Sequence, residues 1–103
     1  MNITLPRHQI REACQGFSKV ISGKTTIPVL GCVRVTAANG ECRAEATDLD
    51  QVVDYHFNSA EVFRDGACII PMSKLKEMAK GAKHEQVEVY ADASGDIQIV
   101  NHV

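Results

Sequence analysis

Ile3-Thr4-Leu5-Pro6 and Cys68-Ile69-Ile70-Pro71 decide how this chain folds. Each is a short apolar run suited to a strand, and each ends on a proline that opens a helical pattern. Proline has a fixed φ close to the helical value and no N–H. It therefore suits the first helical turn, where that donor has no intrahelical acceptor. Both openings are followed by strands separated by tight turns. The chain reads as a doubled unit.

Working outward from Pro6, the stretch to Ser22 has helical periodicity. Ile10, Ala13, Cys14, Phe17, Val20 and Ile21 recur at three- and four-residue intervals and cover one arc. Arg7, His8, Arg11, Glu12, Gln15, Ser18 and Lys19 are assigned to the opposite, solvent-facing arc. From Pro71 a second helix is predicted over Met72 to His84, with Leu75, Met78, Ala79 and Ala82 as its buried stripe. Lys76, Lys80 and Lys83 cluster on one side of that stripe, and Gly81 marks a fraying end.

The remaining segments read as strands and loops. Residues 23 to 28 form a loop by composition. Val29 to Ala37 and Glu41 to Thr47 read as strands around Ala38-Asn39-Gly40, a hairpin signal. Val52 to Phe57 is a third strand, and Asn58 to Gly66 is a loop. In the second half, Val87 to Tyr90 and Ile97 to Val100 pair across Ala93-Ser94-Gly95-Asp96. At 103 residues this is one domain, 1–103, able to bury a modest core. The expected class is α+β: a doubled β-α-β-β-β unit with two helices packed against sheets. The second half is one strand short, so a closing strand is expected beyond Val103 and the chain reads as a fragment or a shortened relative of a longer protein.

Charge is segregated along these elements. Arg7, Arg11 and Lys19 against Glu12 give the first helical stretch a net +2. Lys74, Lys76, Lys80 and Lys83 against Glu77 give the second +3, and Lys24 raises the total to +6. Everything else carries Arg34, Arg43 and Arg64 against eleven acids, a net of −8, within an overall charge of −2. A chain that needed only solubility would mix its signs. Segregation points to a helix face that meets a polyanion.

Other chemistry finds little support. Gly23-Lys24-Thr25 is not a phosphate loop: position 18 is serine where that motif needs glycine, and the segment follows a helix instead of preceding one. Asp48 and Asp50 lack a nearby histidine, serine or cysteine and are read as turn formers. Cysteines 14, 32, 42 and 68 have no CxxC spacing, and the histidines are scattered. We read the cysteines as buried, reduced thiols and expect no metal, no cofactor and no enzymatic activity. Met1 to Leu5 is too short for a secretory core, and no apolar run approaches the ~20 residues of a membrane span. A cytoplasmic protein without membrane partners is expected. Composition of 45% hydrophobic and 23% charged residues excludes disorder.

The run from Ile21 to Gly31 (Ile-Ser-Gly-Lys-Thr-Thr-Ile-Pro-Val-Leu-Gly), followed by Ala46-Thr47-Asp48-Leu49-Asp50, resembles the amino-terminal domain of bacterial sliding clamps, the beta subunits of DNA polymerase III. Ile70-Pro71 before a lysine-bearing helix fits the same domain, and the resemblance covers essentially the whole chain. Asp50 stands where the family usually has glutamate, and Ser73 where a basic residue is frequent. The resemblance implies a DNA-clamp fold and a replication processivity factor, in which three such domains form a subunit and two subunits close around double-stranded DNA. Helices would line the hole and sheets the outer wall. The DNA-facing residues it implies, together with the charge split, are Lys24, Arg7, Arg11, Lys74, Lys76 and Lys80. Other clamp domains or subunits, the replicative polymerase and the clamp loader would be met only by the full-length protein. The competing reading is a stand-alone interaction module that kept this fold without encircling DNA and pairs through an open sheet edge.

Overall fold

A computed structural model describes residues 1–19, 31–47, 51–80, 86–92 and 97–102, the side chains of 101 and 102 excepted. Its elements in chain order are β1 (Asn2–Pro6), α1 (Arg7–Phe17), β2 (Cys32–Ala38), β3 (Glu41–Thr47), β4 (Val52–His56), β5 (Glu61–Arg64), β6 (Gly66–Pro71), α2 (Met72–Ala79), β7 (Gln86–Ala91) and β8 (Ile97–His102). The strands form two antiparallel four-stranded sheets, ordered β5-β1-β7-β8 and β4-β3-β2-β6.

The doubling has a specific form. Strand β1 opens the first half but pairs with β7 of the second, Ile3 opposite Val89 and Leu5 opposite Val87. Strand β6 opens the second half but pairs with β2 of the first, Val33 opposite Ile70 and Val35 opposite Cys68. Each half thus lends its first strand to the other half's sheet, so neither sheet is complete without both. Pro6 and Pro71 lie one position earlier than expected: each is the last residue of its strand, with extended ψ of 134° and 142°, and the helices begin at Arg7 and Met72.

Alternation sets the faces of β2 and β3. Val33, Val35, Ala37, Cys42, Ala44 and Ala46 point inward and are buried, while Arg34, Thr36, Glu41, Arg43 and Glu45 are exposed. The hairpin between them is as short as the sequence implies. Ala38 pairs with Glu41, and Asn39 and Gly40 both take positive φ, 55° and 80°. A two-residue loop with both φ positive matches the twist of the strands it joins.

The stretch 58–66, expected to be a loop, contains β5. Glu61 to Arg64 run antiparallel to β1, and the chain then crosses to the other sheet at Asp65 and Gly66. Gly66 has φ of 157°, and a Cβ there would stand 2.9 Å from the Cβ of Met1. Met1 is held in turn by β7: its ammonium donates to the Ala91 carbonyl, and the Ala91 N–H donates back to the Met1 carbonyl, both at 2.9 Å. Only glycine fits a corner that closes so tightly on the amino terminus.

Both sheets and both helices bury into one core. It combines Ile3, Leu5, Val87 and Val89 with Val33, Val35, Ala44 and Ile70, covered by Ile10, Phe17, Leu75 and Met78. Cys14, Cys42 and Cys68 belong to the same core and Cys32 is half-buried; all four are free thiols. Burial pushes the Cys42 thiol up to about 12, with the nearby Cys68 thiol adding to the effect, and pushes Cys68 up to about 11. Both stay protonated and behave as small apolar groups. Among the described residues no helix is long and apolar enough to cross a membrane.

Candidate nucleic-acid interface

Helices α1 and α2 pack against each other, with α1 seated on β4 and α2 beside β6. Several interactions hold α1 in place. The Ser59 N–H donates to Gln9 Oε1 at 3.4 Å. Gly16 lies beside Val53, whose Cγ1 would be 4.0 Å from a Cβ. The Tyr55 hydroxyl lies near the Glu12 carboxylate, and its ring packs edge-on against Phe57 at 4.8 Å. Partial burial, followed by that carboxylate, raises the Tyr55 pKa above its ordinary value. At the far end Ser18 donates through its hydroxyl to the Cys14 carbonyl at 2.7 Å, closing α1.

The two arginines of α1 do not share the fate expected of them. Arg7 is only 2% exposed, and its Nε donates to the Met78 carbonyl at 3.1 Å. Arg11 is half-buried, and its Nη2 donates to the Ala79 carbonyl at 2.9 Å. Met78 and Ala79 end α2, where carbonyls have no intrahelical donor. A guanidinium suits that place twice over, as a hydrogen-bond donor and as a cation at the negative end of a helix dipole. Arg7 is therefore corrected from a solvent-facing, phosphate-contacting residue to a buried one. The sequence does carry a signal for this: Arg7 precedes Cys14 by seven residues, which places the two within about 20° of each other on one helix face. Chemical type, not angle, assigns Arg7 to the polar arc.

Lys74, Lys76 and Lys80 are all exposed, as expected. They do not form one patch. Lys74 and Lys76 are two residues apart and so point about 160° from each other on a helix. Lys74 lines a shallow recess with Glu77, Met78 and Ile99, on the flank of α2 toward β8. Lys76 lies on the α1 flank, where its charge partly opposes the rise in the Cys14 thiol pKa that burial causes. Lys80 has left the helix: its φ and ψ are −77° and 143°, so α2 stops at Ala79, well before His84. The carbonyl held by Arg11 immediately precedes Lys80, so Lys80 leaves α2 beside the α1 contact, on whose flank Lys76 also lies. Lys24 and Lys83 lie outside the described residues, as do Asp48 and Asp50.

On the β4-β3-β2-β6 sheet, arginines stand among carboxylates. Arg34 stands opposite Glu45, which stands opposite Asp54, and these line one recess with Thr36 and Arg43. The Arg34–Glu45 pair is of opposite sign and is answered locally, and Glu45 and Asp54 add carboxylates around the arginines. On and just past α2, the exposed Lys76 and Lys80 are suited to phosphates in general and to no particular base sequence.

The model of the DNA polymerase III beta subunit N-terminal domain matches residues 1–102. The chain belongs to that family. This beta-subunit domain is 25% identical over 100 residues to the beta sliding clamp of Salmonella typhimurium and 24% identical to that of Escherichia coli K12. Each alignment covers 97% of the chain and 27% of the relative, so the chain spans about a quarter of the length of the curated relatives it matches. Among solved structures, it superposes on Caulobacter crescentus pol III beta with a TM-score of 0.87 at 22% identity, covering 98% of this chain and 27% of that one. A DnaN sliding clamp from Bartonella birtlesii, solved bound to griselimycin, gives 0.82 at 27% identity with the same coverage. The two antiparallel sheets carrying a pair of helices are thus the α+β clamp-domain fold.

Proposed function

We propose that this beta-subunit domain lines the hole of a cytoplasmic ring that encircles duplex DNA and slides along it during replication, without catalysing a reaction itself. One observation carries the reading. Helix α2 and its exit bear exposed lysines, while arginines of the β4-β3-β2-β6 sheet stand among carboxylates. A ring holds DNA by topology, so each interaction can be weak. Phosphate contacts suffice, and they must be labile for the ring to move. Lys76 and Lys80 are the central DNA-facing residues in this reading, Lys74 a peripheral one, and Lys24 an additional cation from the loop position that is basic in the family. The other domains of the ring, the second subunit, the polymerase and the clamp loader are partners of the full-length protein.

Titration of duplex DNA of mixed sequence at several salt concentrations tests this. Expected is weak binding that falls steeply with salt and is indifferent to sequence. Removing one phosphate-binding cation, by Lys76→Ala or by Lys80→Ala, lowers the log–log salt slope by about 0.9. Binding that ignores salt, or slopes unmoved by both substitutions, would refute the assignment.

A further inference from the structure

We propose that Arg7 and Arg11 are positioning residues for the exposed lysines on and just past α2: donors from α1 that clasp the last turn of α2 and set where Lys80 leaves it. The functional half rests on the DNA reading above; the structural half does not.

Three bonds end α2. Arg7 Nε takes the Met78 carbonyl, Arg11 Nη2 takes the Ala79 carbonyl, and the Lys80 N–H takes the Glu77 carbonyl at 3.2 Å. Helix α2 spans only Met72–Ala79, and Pro71 at its start makes no side-chain cap. So short a helix is marginal by itself and depends on tertiary packing. The donors reach across 71 and 68 residues of sequence, so they tie the two halves of the doubled unit together at the place where the exposed cation emerges. Arginine fits this task and lysine does not: its planar, weakly hydrated fork can be buried against carbonyls while staying charged. The two helices thus divide the work. Helix α1 supplies a buried and a half-buried cation that hold, and α2 supplies exposed cations that touch.

The test is a double-mutant cycle in this chain, Arg11→Met with Lys80→Ala, read by amide hydrogen exchange and by the salt dependence of duplex binding. Arg11 is chosen because its half-exposed site tolerates methionine better than the buried Arg7 site. Expected is exchange at residues 78–80 faster by about tenfold in Arg11→Met. Duplex affinity should also fall severalfold in that variant, and Arg11→Met should add nothing once Lys80 is alanine. Additive effects on affinity, with the slope falling by about a further 0.9, would make Arg11 a direct phosphate ligand and overturn the proposal. Unchanged exchange would overturn it as well. If the unaltered chain showed no salt-dependent binding, the DNA reading and the functional half would fall together, while faster exchange would still establish the clasp.

Discussion

Helices α1 and α2 both carry basic residues beside an apolar stripe, yet they use them in opposite ways. On α1, Arg7 is buried and Arg11 half-buried, each donating to a carbonyl of the neighbouring helix. On α2 and just past it, Lys74, Lys76 and Lys80 remain in water. The ammonium is compact and strongly hydrated and stays outside, whereas the guanidinium is planar and can be paired inside. A formal count of positive charge along the sequence therefore overstates what the surface offers a polyanion. It also hides the residue that makes the surface regular.

The strongest way to break this contrast is Arg7→Met. If Arg7 holds the helices, its removal leaves buried carbonyls unpaired and should cost about 2–4 kcal/mol in urea denaturation. A cost below ~0.5 kcal/mol would return Arg7 to the ranks of surface cations. Next comes the double reversal Lys76→Glu with Lys80→Glu. Stability should move by no more than about 0.5 kcal/mol, as for exposed substitutions generally. Duplex affinity should fall by about tenfold or more at low salt.

Gly40→Ala serves as a remote control for both. Space is open around it, but φ is +80°, so strain of about 1 kcal/mol is expected with an unchanged DNA salt slope. The smallest effect bounds the pH range in which the comparison holds. Cys42 and Cys68 have folded pKa values raised above 9.0, so the native state keeps protons that the unfolded chain releases. Their contribution is complete below pH about 9 and is lost as pH rises toward 12. Between pH 8 and 10 the chain should lose more stability than Cys42→Ala does, by roughly 1 kcal/mol. Measurements on the helices belong below that window.

The elements legible in the sequence are those whose periodicity is local. Strands β2 and β3 alternate cleanly, Asn39-Gly40 announces its turn, and the stripe of Ile10, Ala13, Cys14 and Phe17 is buried as its spacing implies. The failures share a physical cause. Glu61 to Arg64 has no strong alternation, and it becomes β5 because β1 offers it an edge. Helix α2 ends at Ala79, where Arg7 and Arg11 donate to its last carbonyls from another helix. At the candidate interface, Lys74, Lys76 and Lys80 are readable as exposed. Their division between two flanks, and the burial of Arg7, are not.

Composition and period were enough to establish an α+β chain with two proline-initiated helices, a short hairpin and a charge bias toward the helices, since each of these is decided within a few residues of chain. Three-dimensional packing alone settled that the opening strands change places between halves and that Met1 closes on Gly66. It also settled that Arg7 is buried and Arg11 half-buried. Burial and carbonyl pairing are properties of neighbours distant in sequence, and an arginine's role follows from what it is packed against.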